Sequence, residues 1–333
     1  MRDPRRRLAL GAVALLLAAG CSAGADPEPP STGGTGAAGI PVTVENCGRT
    51  LTFEQPPSRV VTSYYPTLET MIVLGLEDSV IGRARFSDPD GFLPGHEQIY
   101  DAIPEVDENG YLPPKEDLLA LAPDLVVSEG WYNFDAESGY ATVEELEAAG
   151  SQVFILGGWC SAEETNDYTL QGALDDLTVL GEIFGAQDRA AEVVAELEAG
   201  LADVEERVGD LEPLRVIVAD ASAESFSALG QGLGNELIER AGGINVFADA
   251  DDYFEVSLEE VAAADAQAYA VVDYVPLTPE ERIAVIETVA PDSEGVREQR
   301  YAVINAVAIH PGYRPFLAIE QIARVLHPEA FDD

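Results

Sequence analysis

The strongest constraint on the fold is an alternation of strand and helix patterns that one long helical stretch interrupts. Short apolar runs bounded by Gly and Pro alternate with amphipathic segments up to residue 161, and the alternation resumes at residue 211. Such alternation is typical of parallel sheets with helices packed on their faces. The sequence therefore predicts an α/β protein with two Rossmann-like α/β lobes, over residues 41–161 and 211–333.

Residues 162–210 carry little but helix signal, and they connect the two predicted lobes. Within them, the stretch QDRAAEVVAELEAGLADVEERV spaces its apolar residues three and four apart, with charges between them. This spacing predicts one backbone helix of about 20 residues, about 30 Å long at a rise of 1.5 Å per residue. So stiff a connection predicts two lobes that move little and a ligand cleft between them.

The first twenty residues have the layout of an export signal. Four arginines precede an apolar run that is shorter than the roughly 20 apolar residues of a transmembrane helix. The run ends in LAAGC, which resembles the bacterial lipobox and implies cleavage before Cys21 and lipidation of its thiol. An ordinary signal peptide with a chance cysteine is the alternative. Residues 21–40 are rich in Pro, Gly and Ser, which predicts a flexible tether and an extracytoplasmic, lipid-anchored chain.

Beyond that segment two cysteines remain, Cys47 and Cys160. Cys47 lies between two alternating stretches that predict a β-hairpin with Gly48 in its turn. Because exported proteins fold in oxidising surroundings, the pair predicts a disulfide. Two separate buried thiols are the alternative.

The composition is strongly acidic, with a formal net charge of −43 over 333 residues. Such a surface repels nucleic acid and argues against DNA or RNA binding. It can attract cationic ligands, although it also serves solubility. The sequence has no Gly-x-Ser-x-Gly elbow, no phosphate-binding loop and no His-Glu-x-x-His motif, so it does not favour an enzyme.

Five phrases, in order, resemble the iron-siderophore and cobalamin substrate-binding proteins of ABC importers. They are RVVTSYYPTLETMIVLGLEDSVIGRA, KEDLLALAPDLVVSEG, LGNELIERAGGINVFAD, VSLEEVAAADAQAYAVV and AVINAVAIHPGYRPFLAIEQIARVLHPEAF. The fourth departs from the family pattern, because DAQA replaces the usual Pro-Asp. The resemblance implies two α/β lobes bridged by a long helix, with the ligand held between them.

The same resemblance implies a function. It implies a monomeric receptor that captures a ferric siderophore and delivers it to the permease subunits of an ABC importer, without a covalently bound cofactor. Haem or a corrinoid is the second expected ligand, and sequestration is an alternative use. The resemblance also implies one permease-docking glutamate on each lobe, for which Glu105 and Glu259 lie closest to the family positions.

The candidate binding residues follow the predicted strands, because ligands of open α/β sheets lie beyond the carboxyl ends of the strands. Arg83 and Arg85 follow the strand SVIG and could bind the oxygen anions of a siderophore or haem. The other candidates are aromatic and offer flat surface to a bulky chelate or tetrapyrrole, unless they cap the cores of the lobes. They are Tyr64, Tyr65, Trp131, Tyr132, Trp159, Phe226, Tyr253 and Tyr274.

Binding of bare zinc or manganese is a further alternative, which requires several histidine and carboxylate ligands. The chain has three histidines, His96, His310 and His327. We expect none of them in the loops that line the cleft, and we therefore predict no metal site.

Overall fold

The first half of the protein is built on a five-stranded parallel sheet with the strand order β5-β4-β3-β6-β7. The computed structural model describes residues 41–84, 93–107, 111–222 and 225–332. The strands are β3 (Val60–Thr62), β4 (Val80–Ala84), β5 (Glu105–Asp107), β6 (Leu125–Ser128) and β7 (Gln152–Ile155). The helices between them are α1 (Tyr65–Val73), α2 (Glu97–Ala102), α3 (Lys115–Leu121) and α4 (Val143–Ala148).

A hairpin precedes this sheet, as predicted. Strand β1 (Val42–Asn46) pairs antiparallel with β2 (Arg49–Phe53). Cys47 and Gly48 form the connection with φ values of 52° and 66°, the positive φ pair of a two-residue hairpin turn. Cys47 is bonded to Cys160, with their Cα atoms 5.4 Å apart, so the predicted disulfide is confirmed. It ties the hairpin to the segment that follows β7.

The second half is built on a mixed sheet with the order β11-β9-β8-β12-β13, and β10 also pairs with β8. The strands are β8 (Leu214–Ala221), β9 (Phe226–Leu229), β10 (Gly243–Asn245), β11 (Tyr253–Glu255), β12 (Ala268–Asp273) and β13 (Tyr301–Asn305). Strand β9 is antiparallel to both β8 and β11, and the other pairs are parallel. The helices are α7 (Leu233–Arg240), α8 (Leu258–Ala263), α9 (Pro279–Val289), α10 (Glu294–Arg297) and α11 (Arg314–Leu326).

Two helices connect the sheets, α5 (Leu170–Phe184) and α6 (Gln187–Val208). Helix α6 has 22 residues, and its first and last residues are those of the stretch predicted as the long helix. Its amphipathic pattern buries Ala190, Val193, Leu197, Val204 and Val208. The two-lobed α/β fold with one long connecting helix is therefore confirmed.

The proposed signal segment 1–20, the tether 21–40 and Cys21 lie outside the described residues. The exact boundaries of the lobes stay predictions. Among the described residues, no helix is both long enough and apolar enough to cross a membrane.

A buried ion pair joins the two halves. Glu69 of α1 lies entirely inside the protein and accepts two hydrogen bonds from the Arg314 guanidinium at the start of α11, at 2.8 and 2.7 Å. Tyr100 adds a third hydrogen bond to the same carboxylate at 3.2 Å. A two-pronged pair of this kind fixes both distance and orientation. It therefore holds the first turn of α11 against α1.

Close backbone packing supports this junction. Gly157, after β7, has a φ of 65°, and a Cβ on it would lie 2.7 Å from the Cβ of Pro311. A larger residue at position 157 would push the segment before α11 away from the first sheet. The two halves are thus joined by the connecting helices and also by direct contact at this point.

We expect Glu69→Gln to lower the free energy of unfolding by about 3–5 kcal/mol, because it removes the two-pronged carboxylate partner of a buried guanidinium. Urea denaturation measures the change. The matched control is Glu320→Gln, which breaks the 2.7 Å pair with Arg324 on the exposed face of α11. An exposed pair contributes less than about 1 kcal/mol. Equal losses in the two variants would contradict a special role for the buried pair.

Candidate ligand-binding cleft

A cavity of about 810 Å³ is lined by residues from both sheets. Tyr64 follows β3, Trp131 follows β6 and Trp159 follows β7 in the first half. In the second half, Asp220 lies near the end of β8 and Tyr274 follows β12. The cavity therefore lies at the carboxyl ends of the strands, where open α/β folds bind ligands, and its size suits an organic ligand.

Six of the aromatic residues predicted for the site line this cavity. We call the four from the first half the first wall, and the two from the second half, with Asp220, the second wall. The first wall is Tyr64, Trp131, Tyr132 and Trp159, and the second wall is Asp220, Tyr253 and Tyr274. Their contact with a ligand stays a prediction, but the fold brings them together.

Three predicted residues do not line the cavity. Tyr65 is the first residue of α1 and packs into the main apolar core, and Phe226 begins β9 and packs into a second core beside it. Arg83 belongs to β4 itself and is buried, donating to the carbonyls of Tyr100 and Ala84 and pairing with Glu105. All three side chains are buried in the interior of their half of the protein, away from the cavity. Arg85 lies outside the described residues.

The cavity also has lining residues that the sequence did not predict. His310 is one of them, so the expectation that no histidine reaches the cleft is wrong. Asp251 and Asp252 follow β10, a short strand that the sequence pattern did not reveal, whereas Asp220 satisfies the rule of carboxyl strand ends and could have been found. The full unpredicted set is Tyr111, Ala162, Glu163, Thr165, Asn166, Asp220, Leu229, Asp251, Asp252, Val272, Ala306, Ile309 and His310.

A buried carboxyl group lies behind the first wall. Glu129 directly follows β6 and is almost fully buried. It accepts hydrogen bonds from the Ser63 hydroxyl, the Tyr64 backbone N–H at 3.3 Å and the Tyr132 hydroxyl at 3.2 Å. Burial raises the pKa of Glu129. The group fixes both tyrosines of the first wall from behind.

In the second wall, too, a carboxylate accepts hydrogen bonds from tyrosine hydroxyls. Asp220 accepts hydrogen bonds from the Tyr253 hydroxyl at 2.7 Å and the Tyr274 hydroxyl at 3.0 Å. Arg282 of α9, itself buried, pairs with Asp220 at 2.9 Å, and its guanidinium lies 4.0 Å from the centre of the Tyr274 ring. Arg282 offsets the negative charge of Asp220, and its guanidinium also stacks on the Tyr274 ring.

The hydroxyls of Tyr132, Tyr253 and Tyr274 are therefore donors to carboxylates. Burial, and after it the nearby carboxylate, raises the pKa of Tyr132 well above its ordinary value and raises that of Tyr274. Burial also raises the pKa of Tyr253 to about 12. At neutral pH these residues present neutral phenol rings to the cavity, and not the phenolates that can ligate ferric iron.

His310 contributes a neutral imidazole. Its ring centre lies 5.1 Å from that of Tyr64 and 5.7 Å from that of Trp159. Burial lowers the pKa of His310 to about 4, so it carries no charge at neutral pH. Its Nδ1 and the Trp159 Nε1 are buried and find no hydrogen-bond partner among the described residues.

The charged side chains that line the cavity, among the described residues, are all acidic. Four carboxylates line it, and the described lining residues include neither lysine nor arginine. Arg282 offsets one of them, Asp220, which leaves Glu163, Asp251 and Asp252. The described ranges also contain no group of three or more His, Cys, Asp or Glu side chains placed to hold a metal ion. The described lining of the cavity is therefore negatively charged.

An aromatic cleft between two α/β lobes defines a binding protein of the two-lobed, helix-bridged type. The model of the periplasmic binding protein family matches residues 60–289, more than half of the chain. The chain belongs to this family, whose members act outside the cytoplasm.

Similar proteins agree with this assignment. A cobalamin-binding protein of Halobacterium salinarum is 27% identical over 313 residues, which cover 90% of this chain and 77% of that protein. A structure from an ABC-type Fe³⁺-hydroxamate transport system of Saccharomonospora viridis is 28% identical, with a TM-score of 0.70 over 88% of this chain and 100% of that one. A periplasmic binding protein of Veillonella parvula shares the fold, with a TM-score of 0.74 over 87% of this chain and 98% of that one, at 21% identity.

The hydrogen bond between Tyr132 and Glu129 predicts a pH dependence of stability. Because the folded pKa of Tyr132 lies above that of the unfolded chain, its contribution is complete below pH 10 and is lost at higher pH. At pH 11 the loss is about 1.4 kcal/mol, one unit above an unfolded pKa of ~10. Tyr132→Phe should therefore lose less stability between pH 8 and pH 11 than the wild type, as measured by urea denaturation.

The control is Tyr111→Phe, which removes an exposed hydroxyl from the same cavity and should follow the wild type. If Tyr132→Phe lost as much stability as the wild type over this pH range, the Tyr132 proton would not be held in the way described.

Proposed function

We propose that this protein is the substrate-binding component of an ABC importer and that it captures a neutral or cationic ferric hydroxamate chelate. The observation that carries the proposal is the charge of the cavity, whose aromatic walls are accompanied by carboxylates and by no basic side chain among the described lining residues. A ferric ion with three hydroxamates is neutral, and additional amines make it cationic. The name of the S. viridis relative supports the same ligand class.

Anionic chelates fit this cavity poorly. A ferric ion with three catecholates carries three negative charges, and haem carries two propionates. Such groups are normally met by arginine or lysine. Here the proposed anion ligand Arg83 is committed to Glu105 at 3.1 Å, and Arg282 is committed to Asp220. An anion would therefore face Glu163, Asp251 and Asp252, and it would meet no basic side chain among the described lining residues.

The state of the tyrosines also argues against haem. Ferric haem takes an anionic or imidazole ligand from a protein. The phenols of Tyr132, Tyr253 and Tyr274 donate their protons to carboxylates. The imidazole of His310 is packed against Tyr64 and Trp159. Burial raises the pKa of Tyr64, so this phenol also stays protonated at neutral pH.

A corrinoid is the second candidate. The H. salinarum relative is named a cobalamin-binding protein, and it matches 90% of this chain. Cyanocobalamin is neutral overall, so the charge of the cavity does not exclude it. The aromatic walls suit its large apolar faces as well as those of a folded hydroxamate chelate.

Capture and delivery need no covalent chemistry, and we propose that the protein is not an enzyme. A lipid on Cys21 would hold the chain at the outer face of the cell membrane, where two short-lived contacts could dock it on the permease. We propose Glu105 in β5 and Glu259 in the first turn of α8 for these contacts, one on each half. Both side chains are exposed, although Glu105 also pairs with Arg83.

Ligand choice is testable by fluorescence titration of the purified chain. We expect a ferric trihydroxamate to bind at least 100-fold more tightly than a ferric tricatecholate or haemin, a difference of about 2.7 kcal/mol. Cyanocobalamin tests the second candidate in the same assay. Tightest binding of haemin or of the tricatecholate would overturn the assignment of ligand class.

The site itself is tested by Trp131→Ala, which should weaken binding of the preferred ligand at least tenfold, or about 1.4 kcal/mol. The matched control is Leu317→Ala on α11, because Leu317 is 38% exposed, close to the 39% of Trp131, but does not line the cavity. Equal affinities of the two variants would remove Trp131 from the site.

The two proposed docking glutamates, Glu105 and Glu259, should affect iron uptake by cells but not chelate binding. The double variant Glu105→Ala, Glu259→Ala should bind the chelate as the wild type does but lose most uptake of radioactive iron by cells that carry the permease. Such charges act mainly on the rate and register of docking. Full uptake by the double variant would show that other residues dock.

A further inference from the structure

One carboxyl group of the cavity, that of Asp252, has an oxygen without a hydrogen-bond partner in the described ranges. Asp252 lines the cavity and is only 8% exposed. Its Oδ1 is buried and has no hydrogen-bond partner among the described residues. The carboxylate of Asp220, in contrast, accepts hydrogen bonds from Arg282 and from two tyrosine hydroxyls. Buried polar groups without a partner are rare in folded proteins and are costly.

The backbone around Asp252 is held firmly. Its N–H donates to the Asn166 side chain at 2.8 Å, and its carbonyl accepts from the Gly230 N–H at 3.1 Å. Gln231 adds a hydrogen bond to Ala250 at 2.9 Å. A Cβ at position 230 would lie 2.5 Å from the Asp251 carbonyl oxygen, so glycine permits the close approach. The carboxyl group is therefore placed in the cavity by its backbone, while its own oxygen stays unpaired.

In the part of the chain that the structure describes, no basic side chain pairs with Asp252. Burial raises the pKa of Asp252 to about 7, and no opposing cation contributes. Asp251 and Glu163, both exposed, line the same cavity and add to its negative potential. A cation brought by the ligand would supply the missing partner. A primary ammonium suits the position because it is compact and has three donors for carboxylate oxygens.

We propose that Asp252, with Asp251 and Glu163 beside it, is a subsite for a protonated primary amine carried by the chelate. The inference rests on the proposed function and narrows it, from ferric hydroxamates in general to those with a free aliphatic amine. The aromatic walls contact the uncharged iron-hydroxamate part of the chelate, and Asp252 binds its charged ammonium group. Tyr253, next in the chain and half-exposed, offers its ring to the same cation.

A matched pair of ligands tests this subsite in the wild-type protein. The probes are a linear ferric trihydroxamate with a terminal primary amine and the same chelate after N-acetylation of that amine. The two share the iron centre and differ by one positive charge. We expect the amine form to bind at least tenfold more tightly at pH 8 and 0.15 M salt.

The variant Asp252→Asn identifies the residue responsible. It keeps the size of the side chain and removes its charge, so the affinity ratio of the two chelates should fall from at least ten to about one. The control Asp249→Asn removes an exposed charge from the same loop but outside the cavity lining, and it should keep the wild-type ratio. Thermal unfolding of both variants shows whether they are folded.

The outcomes separate the two proposals. The subsite is supported if the wild type and Asp249→Asn bind the amine chelate at least tenfold more tightly than the acetylated one, and Asp252→Asn binds both equally. Tight binding of both chelates with a ratio near one overturns the subsite and leaves the hydroxamate assignment intact. A ratio that survives in Asp252→Asn also overturns it. Failure of both chelates to bind overturns the hydroxamate assignment and the subsite together.

Discussion

The cleft depends on one buried ion pair, between Glu69 of the first half and Arg314 of the second. Because the pair is two-pronged and removed from water, it fixes the start of α11 against α1. The segment that leads into α11 is held by the same junction, and it places His310 beside Tyr64 and Trp159 of the first wall. The cavity is thus shaped before the ligand arrives, which lowers the entropy cost of binding.

Each wall of the cavity uses a buried acid to orient its tyrosines. Glu129 holds Tyr64 and Tyr132, and Asp220 holds Tyr253 and Tyr274. This arrangement turns the hydroxyl protons of Tyr132, Tyr253 and Tyr274 toward the protein and leaves their rings to the ligand. Of the four acidic residues that line the cavity, Asp220 positions the aromatic surface, whereas Glu163, Asp251 and Asp252 can face a cationic ligand.

The sequence predicted the architecture well and the site in part. Alternating patterns revealed the two sheets, and the period of α6 gave that helix its full length, because these signals arise from local burial. Tyr64 and Tyr65 are adjacent, yet only Tyr64 lines the cavity, since α1 begins between them. His310 follows β13 by five residues, so the rule of carboxyl strand ends could have pointed to it. Its contact with Tyr64 and Trp159 joins distant segments, and no local pattern records such a contact.

We propose that an uncharged or cationic iron chelate lies between the two aromatic walls. A crystal structure of the protein with a ferric trihydroxamate, with data collected at the iron absorption edge, would locate the iron. We expect one strong anomalous peak between Trp131 and Tyr253. An iron peak outside this cavity, or a cavity closed by side chains in the presence of bound iron, would contradict it.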